Sequence, residues 1–276
     1  MKKLSMPVVL LFVLVMVSAC ATMPFGSTSS SLQRIAQKGE LTVGTSGNQP
    51  PFTMKDKEGK IIGLDADIAS KMASDMNVKV NFVTMPFSEL LPALEAGKVD
   101  MVISSMTITM ERNKKVAFVG PYFISGKSFL TKTKTLDSVK DIAQIDSPKT
   151  TIAALKDSTS QAFVKSFLPR AKLIQTIDYK EGVGLVVQDM AHAFVSDYPE
   201  CLIELLLNAD KGLSCISTPF TYEPLGIAIP GNDPLFVNWT DNFLGLMQGS
   251  GQINALKDRW FKDTSWLKQI GKETLY

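Results

Sequence analysis

Apolar residues recur along this chain in two rhythms. Short apolar runs read as strands, and apolar positions three or four apart read as helices. Leu41-Thr42-Val43-Gly44 is a short strand run. Gly63-Leu64-Asp65 opens a helix whose Leu64, Ile68, Met72 and Met76 share one face. Val78 to Phe82 is a strand. Ser88 is positioned to cap a helix carrying Leu90, Leu91 and Leu94, and Gly97 ends it. Met101 to Ser105 is a strand, with Thr109 as the start of another helix. Thr151 to Leu155 is a strand, and a helix begins near Asp157. Ala193 to Val195 is a strand, and Pro199 stands in the first turn of the next helix.

Strands alternating with helices predict an α/β fold with parallel sheets. The rhythm breaks twice. Phe118 to Lys134 is an irregular aromatic stretch running into a strand, and Ser217 to Ile229 is a second such zone. Two breaks between two α/β units predict two lobes joined by two crossovers. Lobe 1 is then residues 32–127 together with 224–276, and lobe 2 is 128–223. A ligand is expected at the carboxyl ends of the strands, between the lobes.

The N-terminus has its own pattern. Lys2 and Lys3 precede an apolar run from Met6 to Val17. That run is well short of the ~20 residues needed to span a bilayer. It reads as the core of a signal peptide over residues 1–19. Ser18-Ala19-Cys20 resembles a lipobox, which makes Cys20 the expected lipidation site. Residues 20–31 then form a lipid anchor and Ser-rich tether. The expected location is the periplasm or cell envelope.

Charge excludes some partners. The 276 residues carry 29 Lys+Arg and 27 Asp+Glu, and two of the lysines precede Cys20. Such a balance lacks the basic excess of a nucleic-acid binder. A single His excludes sites built on a His pair. Three cysteines with no C-x-x-C exclude a four-Cys zinc site. An exported compartment permits a disulfide between Cys201 and Cys215. A helix followed by its returning strand would hold these two at opposite ends, which favours two buried thiols. Gly120…Gly126-Lys127-Ser128 has the wrong glycine spacing for a phosphate loop, and Pro121 removes an N–H from it. His192 reads as structural or surface.

The chemistry concentrates elsewhere. Arg112 follows Thr109 in the first turn of the expected helix, where a cation opposes the helix dipole. It could instead reach the strand end, where Ser105 and Thr107 offer hydroxyls. A guanidinium with hydroxyls suits a carboxylate. A surface arginine like its neighbours Lys114 and Lys115 is the alternative. Asp157-Ser158-Thr159-Ser160 brings hydroxyls and free N–H groups to a helix start, suited to an anion or to simple capping. Asp197 at a strand end could pair with an ammonium or cap the following helix. Phe52, Phe87 and Tyr122 each stand in loops beside prolines, with core packing as the alternative and strongest for Tyr122.

These blocks resemble the bacterial extracellular solute-binding proteins of the polar amino acid family, the receptors of ABC importers. Pro50-Pro51-Phe52 with Gly63 to Ala69 is similar to one block, and Leu91 to Met101 to another. Ser104 to Arg112 with Val116 to Tyr122 is the most specific, and Trp260-Phe261 matches the closing helix. The resemblance covers roughly residues 32–265. It implies the two-lobed type II periplasmic binding protein fold, with no cofactor and no metal. It implies that Arg112 clamps a ligand carboxylate, aided by Ser105, Thr107, Ser158 and Thr159. It implies that Asp197 holds the α-amino group and that Phe52, Phe87 and Gln49 pack on the ligand. The chain departs from the family's pattern at Asp157, where Gly is common, at Gln49, often aromatic, and at His192, commonly Asp. Ser46 and Gln49 are uncharged, which favours a neutral ligand over a strongly cationic one. The implied partners are an amino acid and an ABC permease in the inner membrane, with the chain acting as a monomer. Cyclohexadienyl dehydratases resemble the same family, and Glu200, three residues after Asp197, is the one feature that favours catalysis. A ligand sensor is the remaining alternative.

Overall fold

The computed structural model describes residues 30–132, 142–216 and 219–270. The expected signal peptide, Cys20 and nearly all of the expected tether lie outside the described residues.

The chain runs α1 (Ser31–Lys38), β1 (Glu40–Thr45), then a small antiparallel sheet of β2 (Asn48–Gln49), β3 (Thr53–Lys55) and β4 (Ile61–Ile62). It continues α2 (Leu64–Asp75), β5 (Lys79–Thr84), α3 (Phe87–Glu95), β6 (Met101–Val102) and β7 (Val116–Ser125). Then come β8 (Lys127–Lys132), β9 (Thr151–Leu155), α4 (Thr159–Phe167), β10 (Lys172–Thr176) and α5 (Tyr179–Val187). β11 (Ala193–Asp197), α6 (Tyr198–Leu207), β12 (Leu213–Cys215), β13 (Glu223–Pro230), α7 (Pro234–Gly249) and α8 (Gln252–Lys257) complete the order.

Two five-stranded sheets make two lobes. One has the order β5-β1-β6-β13-β7 and the other β10-β9-β11-β8-β12. The expected parallel pairing holds for β1 with β5 and β6, and for β9 with β10 and β11. The sheets are mixed rather than purely parallel. β13 runs antiparallel to β6 and β7, and β8 antiparallel to β11 and β12. The reason is the crossover itself, since β7 feeds directly through Gly126 into β8. At Gly126 a Cβ would stand 2.5 Å from both Pro219 Cβ and Thr221 O, so the two crossings touch and no side chain fits there.

Helix periodicity placed the core correctly. Leu64, Ile68 and Met72 are fully buried in the main cluster with Trp260, Trp266 and Phe236. Each such side chain contributes ~1.5–3 kcal/mol of transfer free energy. A second cluster around Leu90 and Leu94 covers the other face of this lobe, and two more sandwich the second sheet.

Several local expectations are corrected. The strand at Met101 keeps only two paired residues. The helix expected at Thr109 is a single 3-10 turn, Arg112–Lys114, because the strand at Val116 follows at once. Helix α3 begins at Phe87, one residue before Ser88, and Pro86 precedes it without a side-chain cap. Cys201 and Cys215 are free thiols, as favoured, but only Cys201 is fully buried, Cys215 being half-buried, and they are not held apart. They belong to one apolar cluster, because β12 folds back along α6. His192 is exposed, and its Nδ1 accepts the Thr151 amide at 3.0 Å, which explains its place at the strand start.

Candidate functional site

The carboxyl ends of β6, β9 and β11 and the starts of α3 and α4 converge between the lobes on a closed polar cavity of about 20 Å³. Gln49, Phe87, Ser105, Thr107, Arg112, Ser158, Thr159 and Asp197 all line it. Phe52 does not. It is fully buried in the lobe 1 core, with ring centroids 5.2 Å from Phe123 and 5.3 Å from Phe261. The turn that delivers Gln49 to the cavity aims the Phe52 ring the other way, and an all-apolar ring is better held by other rings. Tyr122 is likewise buried in the core.

The floor of the site on lobe 1 is strained and anchored. Ser105 has φ +42°, a region a non-glycine residue rarely adopts. Its amide donates to Asp65 Oδ2 at 2.7 Å. Asp65 is fully buried, and burial pushes its carboxyl up to about 7 against the opposing Ser105 amide. Gln49 Oε1 accepts from Ser46 Oγ at 2.7 Å and Ser104 Oγ at 3.3 Å, which fixes its amide toward the cavity.

Arg112 lies across the gap. Its Nη1 donates to Thr107 O at 2.8 Å and its Nη2 to Asp157 O at 3.1 Å, so one guanidinium touches both lobes. It lies over the Phe87 ring, 5.5 Å from the centroid. Burial lowers its pKa to about 10, opposed by Glu223, Asp157 and Asp197, so it stays cationic at neutral pH. Asp157 takes the left-handed φ of +59°, where glycine is favoured, and turns an exposed side chain away while its carbonyl faces Arg112. Ser158 caps α4, accepting from the Gln161 amide at 3.1 Å. Thr159 Oγ1 lies 3.2 Å from Thr107 Oγ1, a second contact between lobes.

Asp197 precedes α6 but makes no side-chain cap. It forms a buried ion pair with Lys127, and Lys127 Nζ also lies 3.6 Å from Glu223 Oε2. Burial disfavours the lysine's charge, yet the two carboxylates more than offset it and hold its pKa above the ordinary value. Burial also works against Glu223, but Lys127, Thr107 and Thr221 hold its carboxyl below the usual range. Thr107 Oγ1 donates to Glu223 Oε2 at 2.8 Å.

Glu200, read from sequence mainly as an acid favoured by a helix start, faces the cavity and is 3% exposed. Ser105 Oγ donates to its Oε1 at 3.1 Å and Gln49 Nε2 at 3.3 Å, both from the opposite lobe. Ser196 Oγ donates to Oε2 at 2.6 Å. Burial, then the charge of Asp197, raises its pKa to about 8.

Sequence reasoning missed Lys127 and Glu223. Both carried a signal: a charged residue opens each of two buried strands, immediately beside a crossover.

Known proteins share this plan. The glutamine-binding protein GlnH of a Bacillus subtilis (strain 168) ABC transporter is 26% identical over 95% of this chain and 98% of its own. Cyclohexadienyl dehydratase of Pseudomonas aeruginosa is 25% identical, over 88% of this chain and 90% of its own. The crystal structure of an ancestral amino acid-binding protein, described as a precursor of cyclohexadienyl dehydratase, superposes with a TM-score of 0.78 at 37% identity. It covers 84% of this chain and 100% of that one. The fold is that of the type II periplasmic binding proteins. Residues 41–263 match one family throughout both lobes, and the chain belongs to the bacterial extracellular solute-binding proteins, family 3.

Proposed function

We propose that this chain is the substrate-binding component of an ABC importer for an amino acid, which it encloses by hinge closure. The observation that carries this reading is the cavity, where Arg112 and hydroxyls of lobe 1 oppose Ser158, Thr159 and Asp197 of lobe 2. A carboxylate fits the guanidinium and the free N–H groups at the start of α4, whereas an ammonium fits the acids across the gap. A ligand touching both lobes favours the closed form, because only there are all its contacts made. The closed form is the one a permease in the inner membrane recognises. On this reading the chain works in the cell envelope as a monomer tethered through Cys20. Among the described residues, no helix is long and apolar enough to cross a membrane.

A thermal-shift screen against the twenty amino acids tests the reading. A ligand at a hundredfold excess over Kd stabilises by about 2.7 kcal/mol. A shift for at least one amino acid, lost in Arg112→Ala, is expected; no shift for any would refute it.

Glu200 favours a second reading, dehydration of a cyclohexadienyl acid. A buried carboxyl protonated near neutral pH suits a general acid. Binding remains the conclusion, because three protein donors already occupy the Glu200 oxygens. No turnover of cyclohexadienyl substrates is expected. Formation of an aromatic product, abolished in Glu200→Gln, would establish the second reading instead.

A further inference from the structure

We infer that Lys127 is a built-in cation that sets the ligand class, restricting the cleft to amino acids without a charged side chain. The inference rests on the amino-acid reading above and refines it.

Lys127 opens β8 directly opposite Asp197 in the lobe 2 sheet. Its partner Glu223 opens β13 in the lobe 1 sheet. The three side chains are 5%, 5% and 8% exposed, so their charges are matched by each other rather than by water. Glu223 is further committed, since both its oxygens accept threonine hydroxyls, from Thr107 and Thr221, each at 2.8 Å. A buried charge without a partner is costly, and a buried pair is tolerated only when its geometry is complete. The lysine therefore shares Asp197 with a ligand's α-ammonium and leaves no acceptor for a second ligand cation.

The remaining charged groups at the cavity are Arg112 and Glu200. Both Glu200 oxygens are filled by Ser105, Gln49 and Ser196. Its pKa of about 8 leaves the carboxyl mostly uncharged at pH 7. Two cations, Arg112 and Lys127, thus face two anions, Asp197 and Glu223. A zwitterion adds one charge of each sign and keeps the closed cavity balanced. A ligand with an additional ammonium or guanidinium brings a cation for which no carboxylate is left. A ligand with a second carboxylate brings an anion that must compete with Asp197 and Glu223 for Lys127. Removing the lysine's charge leaves one anion in excess, the arrangement a cationic amino acid would neutralise.

Calorimetry on the full chain at pH 7 tests this, with lysine and arginine as cationic probes and the neutral amino acid giving the largest thermal shift as the third. Wild type is expected to bind the neutral probe at least tenfold more tightly than either cationic probe. Lys127→Met should narrow or invert that ratio by tenfold or more, and Lys127→Arg should restore it. Tighter binding of lysine or arginine by wild type overturns the inference and leaves the amino-acid reading standing. The same holds if a folded Lys127→Met keeps the wild-type ranking. If Lys127→Met fails to fold, the wild-type ranking decides alone. No binding of any of the twenty amino acids defeats the underlying reading and this inference with it.

Discussion

Arg112 holds two backbone carbonyls that belong to different lobes, Thr107 O and Asp157 O. Its guanidinium is thus both the expected carboxylate clamp and a latch of the closed form. Arg112→Ala removes both, and a carboxylate left without its charge-assisted partner in a closed cleft weakens binding by ~2–5 kcal/mol. Calorimetry on the purified variant measures this directly, and an unchanged Kd contradicts the assignment. Glu200 offers a different readout. Its carboxyl is raised in the fold from 4.5 to about 8, first by burial and then by Asp197, with Ser196, Lys127 and Ser105 opposing. A raised acid binds its proton more tightly folded than unfolded. Its contribution to stability is complete below pH 4.5 and is lost as pH rises to about 8. Glu200→Gln has no such loss. The melting temperature of the variant, relative to wild type, is expected to rise steadily across that window, and a difference flat in pH would contradict the buried, protonated state.

Among elements, the crossovers position everything else. Lys127 and Glu223 each open a strand immediately beyond a crossover, and Gly126 is where the two crossings touch. Gly126→Ala forces a methyl against Thr221 O and Pro219, both 2.5 Å away. Overpacking of this kind costs ~1–3 kcal/mol. Denaturant unfolding should show that loss, whereas an unchanged midpoint would mean the crossings are not packed together. Periodicity made the elements legible: Leu64, Ile68 and Met72 announced α2, and Gly97, with φ +66°, does end its helix region. Arg112 was legible from the hydroxyls of Ser105 and Thr107 and from the family resemblance, although the helix it was expected to oppose is only a 3-10 turn. The Lys127–Asp197 pair was not, since its members are 70 residues apart and only the fold brings them together. Phe52 shows the opposite error. Its place beside two prolines resembled a ligand-facing loop, but the rings of Phe123 and Phe261 supplied a better apolar environment in the core. Cys201 and Cys215 were expected apart because local order gave no sign of β12 returning along α6.

For the molecule as a whole, function follows from two lobes that meet around a polar cavity and through a few apolar contacts, in which Leu155 joins the Leu90 cluster and Ile203 the main core of lobe 1. The direct polar contacts there include Thr107 with Thr159, Arg112 with Asp157, and Glu200 with Ser105 and Gln49. Each such bond is worth ~0.5–1.5 kcal/mol net. A set of that size is weak enough to open and strong enough to be tipped by a ligand that adds its own contacts. The proposed lipid at Cys20 would hold the protein near its permease. Cys20→Ser is expected to move it from the membrane fraction to the soluble one or to block its processing, and a wild-type protein that is soluble and unlipidated contradicts the anchor. The closure itself is most directly measured by small-angle X-ray scattering of the purified protein, alone and with each of the twenty amino acids. A smaller radius of gyration with at least one neutral amino acid, absent in Arg112→Ala, is the predicted result; an unchanged radius with all twenty would contradict the account.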